Sequence, residues 1–154
     1  MAYIFPAPGT TAAAMTLSIK VSTDTNALSI PAIQDITVNN ANDVMTWTQL
    51  DSSSKLQVAT TATNDLSLNL VLDQTVFFGT DTGTDVAVKS GIFGLSKDKQ
   101  IVQFTLFLGK TSAGAAGKTI TGSAYITGLS PTVSADSPVW VSPVTLTVTG
   151  DYTV

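Results

Sequence analysis

Residues 112–119, Ser-Ala-Gly-Ala-Ala-Gly-Lys-Thr, fall one residue short of a phosphate-cradling loop, because Ser112 stands where G-x-x-x-x-G-K-[ST] has its first glycine. The chemistry would be nucleotide binding, with Lys118 on the phosphates. Such a loop works only when a helix comes next, since the amides of a helix N-terminus must face the anion. The next residues are Thr-Ile-Thr-Gly-Ser-Ala-Tyr-Ile-Thr, β-branched and broken by glycine, which reads as a strand. The segment is therefore expected to be a flexible connection between strands. Asp81 and Asp85, in Asp-Thr-Gly-Thr-Asp, could offer oxygens to a calcium ion, but the acidic density and the glutamate of a calcium loop are missing. Ser52 to Lys55 contain S-x-x-K with neither S-D-N nor K-T-G elsewhere. Trp47 and Trp140 could form a sugar platform, although tryptophan is as readily a core or interface residue. The aspartates stand mostly at strand ends and turns, and no pair qualifies for acid–base work. These residues predict no catalytic, cofactor-binding or metal site.

Composition narrows the chemistry further. The 154 residues include no cysteine, histidine, glutamate or arginine: all eleven acids are Asp and all seven bases Lys. The commonest general base and metal ligand is thus missing, as is the guanidinium fork that grips phosphate. A formal charge of −4 also argues against a protein that holds nucleic acid by neutralising phosphates. Mean hydropathy is +0.31, yet no apolar run approaches the roughly 18 residues of a spanning helix, so no membrane association is expected. The start, Met-Ala-Tyr-Ile-Phe-Pro-Ala-Pro-Gly, has no basic region and two prolines, and a secretory signal is not expected.

The elements that would position these residues are strands. Serine and threonine, weak helix formers, make up about a quarter of the chain. Period-two alternation places Leu17, Ile19 and Val21 on one face, then Leu66, Leu68 and Leu70, then Val144, Leu146 and Val148 opposite Thr145, Thr147 and Thr149. Ala32–Asn40 predicts a short strand ending in an asparagine turn. Asp43–Asp51 predicts another, Ser52 to Ser54 a turn or longer loop, and Lys55–Thr63 and Asp65–Asp73 two more. Ile101–Gly109 predicts a strand buried on both faces. One short helix is expected after Asp85 as N-cap, with Val86, Val88, Ile92 and Phe93 as a partial stripe weakened by Gly91 and Gly94. The chain reads as an extended N-terminal arm, residues 1–14, followed by a single domain over 15–154. The arm carries an apolar tip of Tyr3, Ile4 and Phe5, which must pack either on its own domain or on another subunit.

The C-terminal third resembles the end of bacteriophage tail tube (major tail) proteins. The likeness rests on a strand, a small-residue loop, then Gly122, Ile126 and Leu129, a polar turn with Asp136, and a last alternating strand from Val144 to Gly150. The arm, the hairpin around Met45–Thr61 and the late helix come in a similar order. This resemblance implies a mainly β fold, a β-sandwich or partly open barrel with one short helix, whose sheets join into a tube barrel on oligomerisation. It implies a non-enzymatic virion subunit without cofactors, in hexameric rings that stack, meet other tail proteins, and pass DNA without specific binding. The protein would be made in the host cytoplasm and end in the phage tail. Tyr3, Ile4, Phe5, Ser52, Ser53 and Ser54 are the assembly candidates. A capsid decoration protein and a carbohydrate-binding module using Trp47 or Trp140 are the alternatives.

Overall fold

The structure, a computed structural model, describes residues 3–5, 15–51, 53–111, 114 and 117–154. The strands are β1 (Ile4–Phe5), β2 (Thr16–Lys20), β3 (Leu28–Ile30), β4 (Ile33–Thr48) and β5 (Lys55–Val71), then β6 (Ile101–Phe107), β7 (Lys110–Thr111), β8 (Thr119–Leu129), β9 (Thr132–Ser134) and β10 (Ser137–Thr153). Two helices, α1 (Gln74–Phe78) and α2 (Val86–Lys97), lie between β5 and β6.

One sheet dominates, in the order β3-β2-β6-β8-β10-β5-β4, with β9 hooked onto β10. All its pairs are antiparallel. β3 and β4 are separated only by Pro31 and Ala32, yet they stand at opposite ends of that order. Three Cα–Cα steps span at most about 11 Å, so the two ends of the sheet must meet at this corner. The amide of Val71 donates to the Ala32 carbonyl there, at 3.1 Å. The sheet is therefore rolled on itself, a partly open barrel rather than two separately bonded sheets, and the mainly β expectation holds.

The rolled interior is the core. It collects Leu17 and Ile19 from β2, Leu66, Leu68 and Leu70 from β5, and Val102, Phe104 and Leu106 from β6. Ala124 and Ile126 from β8 and Val144 and Leu146 from β10 join it, with Leu28 and Ile30 from β3 and Phe77, Ile92 and Leu95 from the helices. Register explains the alignment: Leu66, Leu68 and Leu70 lie opposite Leu146, Val144 and Ser142. Gly122 faces Phe104 across the β6–β8 pair, and a Cβ there would press on the Phe104 ring at 3.0 Å, so the glycine makes room for the aromatic.

Several expectations are corrected. β4 and β5 are each one long strand of 16 and 17 residues, and the asparagine turn expected at Asn39–Asn40 is paired strand, opposite Asp65 and Asn64. β6 is buried on one face only, with Ile101, Gln103 and Thr105 exposed. There are two helices, not one. Asp73 caps the unexpected α1, accepting from the amides of Thr75 and Val76. α2 breaks at Gly91, whose φ of 64° and ψ of −179° are not helical. The break rotates the buried face to Ala87, Ile92 and Leu95, leaving Val86 and Val88 half-buried and Phe93 exposed.

Candidate assembly surfaces

The P-loop-like segment leads into a strand instead of a helix: Lys118 is exposed and β8 begins at the next residue. Ser112, Ala113, Ala115 and Ala116 of that segment lie outside the described residues. Asp85 is not available to an ion either. Its carboxylate accepts from the Thr25 amide at 2.7 Å and from the Asn26 side-chain amide at 2.9 Å, and these bonds, Asn26's foremost, hold its pKa below the usual aspartate value. Asp85 occupies the N-cap position of α2 as expected, but its side chain caps nothing. The capping carboxylate is Asp24, which is buried and accepts from Val86 N at 2.6 Å and from Ala87 N and Val21 N at 2.9 Å. Two carboxylates thus exchange places, tying the β2–β3 turn to the helix. Among the described residues no cluster of three metal-ligating acids occurs, and no helix is long and apolar enough to cross a membrane.

Three surfaces remain that could act. The first is the distal hairpin. Every described side chain from Asn39 to Thr63 except Leu56 is exposed. Met45 pairs with Val58 and Trp47 with Leu56, so one face of the hairpin is apolar, while Thr46, Gln57, Thr48 and Lys55 point the other way. Leu50, at the tip, is as exposed as a side chain can be, at 112%. Ser53 and Ser54 are exposed beside it, and Ser52 lies outside the described residues.

The second surface is an aromatic concavity at the other end of β5. Leu72, Phe77, Phe78, Phe93, Pro131 and Trp140 line a cavity of about 330 Å³. Phe77 and Phe78 meet edge-on with ring centres 5.0 Å apart, and Phe93 stands 5.7 Å from Phe78. Phe77 is buried, whereas Phe78, Phe93 and Trp140 are exposed. The backbone behind them is held by two glycines with positive φ, Gly79 and Gly91, which approach so closely that a Cβ on Gly91 would collide with Gly79 N and Phe77 O. The two tryptophans sit near opposite ends of β5: Trp47 faces Leu56, and the Trp140 carbonyl accepts from Leu72 N at 2.9 Å. About 50 Å of strand separates them, so they form no common platform.

The third surface is the outer face of the sheet. Thr37, Ser67 and Thr145 align across β4, β5 and β10, and so do Asn39, Asp65 and Thr147. The Thr127 and Thr147 hydroxyls are hydrogen-bonded at 2.8 Å. Asp65 accepts from Asn39 and Asp35 from Asn69, so each carboxylate is met by an amide instead of a cation. The result is a hydroxyl and amide surface of low charge.

The arm is described only at its tip. Ile4 and Phe5 form β1 and pair with Thr111 and Lys110 of β7, while the side chains of Tyr3 and Ile4 are exposed; the Phe5 side chain and residues 1, 2 and 6–14 lie outside the described residues. Ile4 and Phe5 are held on β7, whereas Ser53 and Ser54 stand at the hairpin tip between Thr48 of β4 and Lys55 of β5. The aromatic concavity was missed in the sequence because its residues come from four separate segments. The pair Phe77-Phe78, after a capping aspartate, was the available signal.

No family model and no curated protein matches the sequence. Solved structures do match. A chain of the anti-feeding prophage baseplate, 6-fold symmetrised, superposes with a TM-score of 0.64 at 13% identity, over 97% of this chain and 96% of that one. A chain from the tail of an empty GTA particle, obtained with helical refinement and C6 symmetry, gives 0.63 at 10% identity, over 96% and 98%. The SPP1 tail tube chain gives 0.61 at 11% identity, over 93% and 77%. The fold is therefore that of chains in phage tails and related tubular assemblies, shared along almost the whole length.

Proposed function

We propose that this protein is a structural subunit of a phage-type tail tube. Copies form hexameric rings, the rings stack, and DNA passes through the lumen without specific binding. The observation that carries this reading is the shared fold over nearly the entire chain, with six-fold symmetry stated for two of the matched assemblies. The surfaces fit it. Among the described residues β4 ends the strand order with a long unpaired edge, a hazard in a free monomer that is removed when neighbouring sheets join into one barrel. The hydroxyl face is low in charge, with Lys20 beside Gln103 as an isolated cation, and among the described residues it offers no cluster of cations to retain phosphate. The role is structural rather than catalytic. Other tail proteins meet the ends of the tube, and the protein, made in the host cytoplasm, resides in the virion tail. Residues 1–14 serve as an arm on the 15–154 domain, with Tyr3, Ile4, Phe5 and the Ser52–Ser54 loop reaching neighbours. The separation of Trp47 from Trp140 weighs against a sugar-binding module. Negative-stain microscopy of the purified protein is the test: tubes or six-membered rings are expected, and monodisperse monomers at every concentration would exclude the proposal.

A further inference from the structure

The hairpin tip and the aromatic concavity stand at opposite ends of the same strand. β5 begins at Lys55, next to the tip, and ends at Val71, next to Leu72 in the cavity wall. Seventeen residues of strand extend about 56 Å, so the tip cannot reach the cavity of its own chain without tearing β4 from β5. We propose that the cavity lined by Phe78, Phe93 and Trp140 is the socket that receives Leu50 and the adjoining apolar hairpin face of a second copy in the next ring. The proposal rests on the tube reading above and adds to it which residues meet.

Four observations favour a second copy as the occupant. Leu50 is a lone large apolar residue among Gln49, Asp51, Ser53 and Ser54, where a turn that served only to reverse the chain would carry small or polar residues. At full exposure it gains nothing in a monomer and would gain the usual apolar burial energy in a pocket on a partner. The socket is preformed, because the glycine-to-glycine contact of Gly79 and Gly91 fixes the two helices that carry Phe77, Phe78 and Phe93. Finally, projection and socket on one chain are different surfaces, so the contact is heterologous: joining each copy to the next in the same sense makes an open column, not a closed dimer. The socket is lined by six described residues, far fewer than the roughly 20–30 a side of a stable pair. The contact therefore holds only when a ring presents several at once, and isolated copies stay apart.

The chain has no cysteine, which makes disulfide trapping unambiguous. Assembled protein carrying Leu50→Cys with Phe93→Cys, or Leu50→Cys with Phe78→Cys, is oxidised mildly and run on a non-reducing gel. A ladder of dimers, trimers and longer chains is expected for at least one of these pairs, and none for Leu50→Cys with Thr105→Cys, which lies on the outer sheet face. In parallel, Leu50→Ser is assayed for assembly. Because Leu50 touches nothing in the monomer, this change leaves folding intact, and the critical concentration for tubes is expected to rise by about tenfold or more, the effect of losing one anchor. Tubes of the cysteine variants that give no ladder from either pair, or Leu50→Ser tubes at the wild-type concentration, overturn the socket while leaving the tube reading standing. A wild-type protein that forms neither rings nor tubes overturns both.

Discussion

Gly91 shows how much one residue can fix. Its φ of 64° with ψ near −179° is a conformation that only glycine adopts readily, and a Cβ there would run into the backbone of Phe77 and Gly79. Strain of this kind costs about 1–3 kcal/mol before any collision is counted. Gly91→Ala is thus expected to lose about 3 kcal/mol or more, read as a lower urea midpoint with an unchanged slope; a loss under about 0.5 kcal/mol, the size of a surface change, would show that α2 is not broken there. The aspartates define a second prediction. Asp73 is held below the usual aspartate pKa, first by the Thr75 hydroxyl and then by the Val76 amide, and Asp85 by Asn26 and Thr25. Groups depressed on folding contribute stability that is present above the unfolded pKa and lost as pH falls through the folded one. Stability from these contacts should be flat at neutral pH and fall only below about pH 4. Asp85→Asn, which removes the titration, should flatten part of that fall; an acid limb that it leaves untouched would locate the loss elsewhere. That Asp24 and not Asp85 caps α2 was not legible in the sequence. Capping rules look a few residues ahead, whereas Asp24 reaches across 62 positions to Val86 through the folded sheet.

At the scale of elements, alternation was a sound guide wherever a strand had one wet and one dry face. Leu17 and Ile19, Leu66 to Leu70, and Val144 and Leu146 are all buried as their period predicts. Leu68→Ala should cost about 2–5 kcal/mol, measured by urea unfolding, and a value near zero would put β5 out of register. Alternation fell short where both faces are wet. From Asn39 to Thr63 no core imposes a period, so Asn39 and Asn40 read as a turn between short strands, although β4 runs on through them to Thr48 and pairs with β5 from Lys55 as one hairpin. α1 was hidden for the opposite reason: five residues are too few to display a helical period, and only the Asp73 cap marks it. The candidate contacts divided in the same way. Ser53 and Ser54 were legible as loop residues, but the neighbour that matters, Leu50, stood out only once its exposure was known. Because the distal hairpin buries so little within its own chain, replacing residues 42–62 by Asn-Gly should leave unfolding nearly unchanged while abolishing tubes. A large loss of monomer stability would mean that the hairpin supports the core.

At the scale of the whole molecule, the decisive property is how little charge is available to hold copies together. Seven lysines and eleven aspartates are spread over 154 residues, with no arginine to form bidentate pairs. Histidine is absent, so no side chain has an ordinary pKa between pH 5 and 8. An assembly built on such a surface must rely on apolar contacts and backbone pairing, which salt does not screen. Tube yield, measured by sedimentation, should therefore stay level from pH 5 to 8 and from 0.05 to 1 M salt, conditions that would dissolve an ion-paired interface. The arm enters the same balance. Ile4 and Phe5 pair with β7, yet Tyr3 and Ile4 stay exposed, so the strand anchors on its own chain while leaving apolar surface for a neighbour. Burying one such side chain contributes about 1.5–3 kcal/mol, repeated at every subunit of the proposed ring. Deleting residues 1–8 should leave a β-type circular dichroism spectrum and the same unfolding free energy within about 1 kcal/mol, because a two-strand ribbon outside the main sheet carries little of the core, and should shorten or abolish tubes under the microscope. Tubes of normal length at the wild-type critical concentration would show that the arm is not an assembly element, and an unfolded product would show that it belongs to the core of its own chain.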